Sequence, residues 1–234
     1  MKFELDSRLI EPNRRKIKEA LVGKRVYVCM GNYLLLNAFC LSRAINDRLV
    51  GHSTTEQECI SDLVNLKPDL LFITEYLESG CAASLVEKAK SILPGLKTLV
   101  FIDSKNVGLV DKCVDAGSEG IIFTTSIGTI NGNYVEAIVN ISEGNTYFPI
   151  DVRQEITPDN AERLNISELS QLELDVLKLV TEGNSDIQIA KVLSLREASI
   201  KKHIINILQK LGIKHKTQLM VARLKNKIHF ETTS

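Results

Sequence analysis

The chain has 234 residues, enough for two modest domains rather than one. Hydrophobic residues make up 44% and charged residues 25%, with 29 basic side chains against 29 acidic, which excludes a disordered or collagen-like chain and calls for packed cores. No apolar run approaches the roughly 18 residues of a membrane-spanning helix, and Met1 to Asp6 (MKFELD) lacks the layout of a secretory signal, so a cytoplasmic location without a membrane partner is expected.

Residues 1–23 precede the first strand and carry Arg14 to Leu21 (RRKIKEAL), a short amphipathic helix pattern. Then short apolar runs alternate with helix-like stretches. Arg25 to Met30, Asp69 to Thr74, Lys97 to Ile102 and Gly120 to Thr124 are too short for helices and read as buried strands, with a weaker one near Leu49 to Ser53. Between them, Leu34 to Asp47, Glu56 to Leu66, Ala82 to Leu93, Val107 to Ala116 and Tyr134 to Ser142 carry apolar residues at three- and four-residue spacing. This alternation predicts a doubly wound α/β domain over 24–146, with five parallel strands and helices on both faces. All five cysteines (Cys29, Cys40, Cys59, Cys81, Cys113) fall in this half, with neither a C-x-x-C pair nor metal-ligand spacing. They are expected to be reduced thiols, Cys81 being the one placed to sense oxidation. No metal or cofactor is expected.

Pro68 to Ile73 (PDLLFI) and Asp115 to Gly120 (DAGSEG) resemble the approach to the phospho-accepting residue and the turn into the last strand of a response-regulator receiver, a flavodoxin-like fold. The scaffold matches better than the site. Carried across by position, the receiver's acidic pair falls on Met30 and Gly31, its phospho-acceptor on Thr74, its hydroxyl on Ile102 and its lysine on Thr124. A thioether and a glycine hydrogen do not coordinate a hard cation, and an un-ionised threonine is a poor nucleophile, so aspartyl phosphorylation is not expected here. Glu75 and Asp103 are nearby carboxylates, read as solvated loop residues. The domain is then a degenerate receiver that serves dimerisation or partner docking. No nucleophile, base and oxyanion donor can be assembled from its sequence, so an enzyme is not expected.

Gly144 to Pro149 (GNTYFP) resembles the close of a receiver's last helix, and the polar run that follows, with Thr157-Pro158-Asp159-Asn160 as a turn, makes 147–165 the expected linker. From residue 166 to the end the chain reads as four helices. Ser170 with Glu173 forms a capping box for the first, which stops at Gly183, and Ser185 caps a second through Leu193. A tight connection leads into a third, Glu197 to Leu211, making a helix-turn-helix, and a last helix from about Thr217 to Lys225 follows. Between Ile187 and Lys227 there are ten basic residues and one acid, Glu197, a net +9 that the rest of the chain balances with −9. Such asymmetry suggests a module that meets a polyanion.

The pattern Leu169-Ser170, Glu173, Val176-Leu177, Gly183, Ser185, Ile189-Ala190, Leu193, Leu195, Ser199-Ile200-Lys201, His203, Leu208, Lys210 to Ile213 and Thr217 is similar to the LuxR/NarL (GerE) type of bacterial DNA-binding domain. With the receiver-like domain, the chain resembles a NarL-type response regulator. The resemblance implies that Lys201 and Lys202 reach base edges, and that Ser185, Ser199, His203, Asn206 and Lys210 touch or lie near the phosphate backbone. Ala198 and Ile205 stand where many relatives place a longer polar side chain, which implies a narrower readout or an apolar contact to a thymine methyl. His203 is alternatively a helix-surface residue that buttresses the fold. The implied partners are double-stranded DNA, a second copy of the chain paired through Leu219, Val221 and Ala222 of the last helix or through the receiver, and RNA polymerase or another regulatory protein. An adaptor that docks proteins through the receiver, with DNA binding secondary, is the competing reading. Constitutive activity, partner binding and redox control are the alternatives for its input.

Overall fold

Five parallel strands organise the first domain in the computed structural model, which describes residues 7–103, 107–126, 133–155, 164–225 and 227–230. They are β1 (Val26–Cys29), β2 (Leu49–Ser53), β3 (Leu70–Thr74), β4 (Lys97–Ile102) and β5 (Gly120–Phe123), in the order β2-β1-β3-β4-β5. Every side chain of β1 and β3 is buried, which is why the sequence there is continuously apolar rather than alternating. Period-two alternation still divides these residues between two cores. Tyr27, Cys29, Leu71, Ile73, Val100, Ile102, Ile121 and Phe123 point to one face, while Val26, Val28, Leu70, Phe72, Leu99, Phe101 and Ile122 point to the other.

The first face is covered by α3 (Glu56–Leu66), α4 (Ala82–Ile92), α5 (Val107–Asp115) and α7 (Ile150–Glu155). The second is covered by α1 (Ser7–Ala20), α2 (Tyr33–Cys40) and α6 (Asn133–Ser142), and Phe39 packs edge-on against Phe72, Phe101 and Tyr134 there. The N-terminal helix begins at Ser7 rather than Arg14 and lies along α6, burying Ile17 and Leu21. α2 is shorter than its pattern predicts. After Leu41 the Ser42 hydroxyl accepts the Ala44 N–H, a local bond that competes with helix propagation.

The segment expected as a linker is not free at its start. Ile150–Glu155 is helical, and Phe148 and Val152 are fully buried in the first core. The polar stretch 156–163 lies outside the described residues.

The second domain comprises α8 (Gln171–Thr181), α9 (Asp186–Val192), α10 (Glu197–Leu211) and α11 (Lys216–Leu224). Both capping boxes form: the Ser170 hydroxyl accepts the Glu173 N–H while the Glu173 carboxylate accepts the Ser170 N–H, and Ser185 and Gln188 repeat the exchange. α10 ends in Gly212, whose φ of +66° suits a residue without a Cβ.

One buried ion pair sits between α4 and the turn before β5. The Lys90 ammonium donates to Glu119 and to the Leu96 carbonyl, and the same carboxylate accepts the Thr98 N–H at 2.9 Å. Burial alone would raise the Glu119 carboxyl, but Lys90, Lys97 and the Thr98 N–H outweigh it and hold the group below its ordinary value of 4.5. Its contribution to stability is therefore present above that value and lost as the pH falls through the depressed one. Removing the carboxylate leaves Lys90 buried without a charge partner. Urea unfolding of Glu119→Ala at neutral pH is expected to show a loss of about 3–5 kcal/mol, and the gap from the wild type should narrow in acid.

Candidate nucleic-acid interface

α10 is a two-sided helix. Ile200, Ile204, Ile207 and Leu211 face α8 and α9 and are buried with Val176, Leu177, Ile189 and Leu219. At 100° per residue the opposite side must carry Ala198, Lys202, Ile205, Asn206 and Gln209, with Lys201 at its margin, and all six are exposed. Ser199 and His203 lie on the flanks, half-buried.

The structure separates the expected contact residues by what already holds them. Lys202 and Asn206 project into solvent. Lys201 pairs with Glu197 one turn back, Nζ to Oε1 2.6 Å. The Ser185 hydroxyl is 4% exposed and is engaged as the cap of α9. Lys210 donates to the capping-box carboxylate of Glu173 at 2.8 Å and to the Glu168 carbonyl at 3.1 Å, so its first role is to tie α10 to α8. That contact, with the Ser170 N–H, holds the Glu173 carboxyl below its ordinary range.

Not all of the positive charge counted in the sequence is therefore available to a polyanion. Lys216 is bound to Asp186 (2.7 Å), Lys225 lies 3.0 Å from Asp111, and the Arg223 guanidinium stacks over Phe230 at 5.3 Å. Lys191, Arg196 and Lys214 are exposed on the same domain and were not singled out from the sequence, although the +9 count includes them.

α11 does not present Leu219, Val221 and Ala222 to a second chain in this arrangement. Leu219 and Ala222 are buried in the second domain's core, and Val221, with Met220, is buried in the first core of the body beside α5 and α7. Around this apolar seam the Thr146 hydroxyl meets Met220 Sδ at 2.9 Å and Gln218 Nε2 donates to the Asp115 carbonyl at 2.6 Å. The His215 ring rests on Gly117, where a Cβ would come within 2.7 Å of its Cγ. Burial, and then the Lys90 charge, push the His215 imidazole below its ordinary 6.5, so docking favours the neutral ring.

At the C-terminal ends of the body's strands stand the residues aligned with a receiver's phosphorylation site. Met30 and Ile102 are fully buried, Thr74 is buried and Thr124 half-buried. The Thr74 hydroxyl accepts the Gly31 N–H at 3.1 Å and donates to the Tyr76 carbonyl at 2.9 Å, and Thr124 donates to the Asp103 carboxylate. Glu75 is not the solvated loop residue its position suggests: it is 2% exposed and accepts the Asp103 N–H at 2.9 Å. At Gly31 a Cβ would lie 2.6 Å from the Tyr76 carbonyl oxygen and 2.7 Å from Leu77 Cα, so the loop after β3 occupies the space a side chain would need.

Residues 167–222 match the family model of bacterial regulatory proteins, luxR family. The C-terminal domain is thus similar to that family's domain over nearly all of its length. Over 185 residues, 77% of this chain and 86% of its relative, the protein is 28% identical to the response regulator protein VraR of Staphylococcus aureus strain Mu3. Its fold is that of the Salmonella typhimurium RcsB response regulator (TM-score 0.50, 21% identity, 84% of this chain and 96% of that one). It is likewise that of the two-component response regulator RcsB in a DNA complex (TM-score 0.51, 20% identity, 88% and 99%). Along most of its length the chain is thus similar to proteins described as response regulators.

Two changes should open the seam between the domains. Lys225→Glu sets a third carboxylate against Asp111 and Asp115, and small-angle scattering should record a larger radius of gyration with both domains still folded. As the pH falls below 6.5 the undocked His215 ring takes up a proton that the docked ring resists, so acidification should shift the wild type in the same direction, with a smaller pH response in His215→Gln.

Proposed function

We propose that the protein is a sequence-specific DNA-binding transcription regulator of the NarL/LuxR type, acting in the cytoplasm, whose receiver-like body is not switched by aspartyl phosphorylation. The observation that carries the reading is α10. One side is sealed in an apolar core, and the other offers ammonium and amide side chains on an exposed helix of the diameter that fits a B-DNA major groove. Lys202 and Asn206 are the residues placed to meet base edges, with Lys201 released from Glu197 on contact. Ser199, His203 and Arg196 on or at the start of α10, with Lys191 of the preceding helix, meet phosphates, which releases counter-ions and makes binding fall steeply with salt.

The body's strand ends support an input other than phosphate. Magnesium does not fit the residues present: Met30 offers a thioether, Gly31 has no room for a carboxylate, and one oxygen each of Asp103 and Glu75 is engaged by Thr124 and by the Asp103 N–H. The body instead serves as a docking and pairing module, and pairing of two copies through α11 requires that helix to leave its seat on α5.

Duplex binding of the intact protein, measured by fluorescence anisotropy at several salt concentrations, tests the reading. Lys202→Ala should weaken binding by about 1–3 kcal/mol and relax selectivity at one base pair, whereas Arg196→Ala should weaken binding to all sequences and flatten the salt dependence by about one unit of slope, both with the thermal midpoint unchanged. An undiminished affinity in Lys201→Ala/Lys202→Ala would rule out α10 as the reading helix. Acetyl phosphate with magnesium should label neither the wild type nor Thr74→Asp, because Met30 and the closed space at Gly31 still deny the metal its ligands.

A further inference from the structure

The outermost strip of α10 is not uniformly polar. Measured around the helix from the buried set Ile200, Ile204, Ile207 and Leu211, Lys202 and Gln209 point most directly outward, with Ala198, Ile205 and Asn206 within about 50° of that direction. Lys202 and Gln209 carry hydrogen-bonding ends. Ile205 carries none, and it is 53% exposed. Its neighbours three and four residues back are Lys202 and Lys201, and Lys201 is bound to Glu197. An isoleucine in mid-strip is thus flanked by a neutralised lysine on one side and by Lys202 and Asn206 on the other.

An aliphatic group projecting into a major groove has one favourable complement there, the methyl group on C5 of a pyrimidine. Against the N7 and O6 of guanine or the amino group of cytosine it would strip water and return no hydrogen bond, so the same side chain attracts one kind of base pair and rejects the others. We propose that Ile205 reads a pyrimidine C5-methyl group, supplied by thymine in unmodified DNA or by 5-methylcytosine in methylated DNA, at the base pair beside the one contacted by Lys202. The inference rests on the DNA-binding reading above and sharpens it to a residue and a chemical group.

The test uses the full chain and a duplex selected by it from a random pool. Each thymidine of the selected site is replaced in turn by deoxyuridine, which removes the methyl and nothing else. At one position of each half-site the wild type should lose about fourfold in affinity, the worth of one buried methyl-sized group. Ile205→Ala should bind the thymidine and deoxyuridine duplexes equally, and Ile205→Val should keep most of the difference. At the same position a cytosine should bind weakly and a 5-methylcytosine should recover part of the loss, which separates the two sources of the methyl. Because Ile205 is exposed and outside the buried set, the alanine variant should melt with the wild type. Tolerance of uracil at every position, or an equal loss in Ile205→Ala, would overturn the assignment while leaving duplex binding in place. Failure to select any duplex would overturn the DNA-binding reading and this inference together.

Discussion

The arrangement depends on α11 serving as a wall of two cores at once. Leu219 and Ala222 complete the core of the helix-turn-helix, while the adjoining Met220 and Val221 complete the apolar face of α5 and α7 in the body. Burying two faces of one short helix fixes the second domain against the first more firmly than a polar linker alone could. Lys225 beside Asp111 and Gln218 on the Asp115 carbonyl then set its rotation. The consequence reaches α10, which packs on α8 and α9 with its charged strip turned outward, open to a duplex in this docked state.

Pairing of two copies through α11, as proposed above, would compete with docking, because Met220 and Val221 are already buried against the body. The poise of such a competition is set by few groups. They are the Met220 and Val221 apolar area, one ion pair, and a His215 ring whose neutrality the interface favours. The body keeps the receiver scaffold intact while its strand ends carry other chemistry, in line with function residing in sites rather than in folds.

Much of this was legible from residue order. Parallel strands announce themselves as short apolar runs, and β4 and α3 fall where the pattern places them because both faces of the one, and one clean stripe of the other, are covered, while the weaker signal at β2 matches a half-buried edge strand. The capping box at Ser170 and the cap at Ser185 fix two helix starts from local chemistry alone, the Gln188 half of the second box being seen only in the structure. What was not legible depends on partners distant in the chain. Nothing near Lys210, Lys216 or Lys225 in sequence says that Glu173, Asp186 and Asp111 will take up their charge, so the basic count overstates what a polyanion meets. The same holds for α11, whose apolar stripe is wide enough for two cores, and for Ile150–Glu155, where a polar composition hides the buried Val152. Glu75 reads as a loop carboxylate until the fold brings the Asp103 N–H to it.

The account stands on the outward strip of α10 meeting duplex DNA while the strand ends of the body stay uninvolved. Hydrogen exchange on the intact protein, with and without a saturating selected duplex, examines both halves of that statement in one measurement. Protection is expected across residues 197–209 and at the cap of α9, with exchange unchanged around Thr74 and Asp103. Unaltered exchange in 197–209 in the presence of bound duplex, or protection centred on the strand ends of the body, would contradict it.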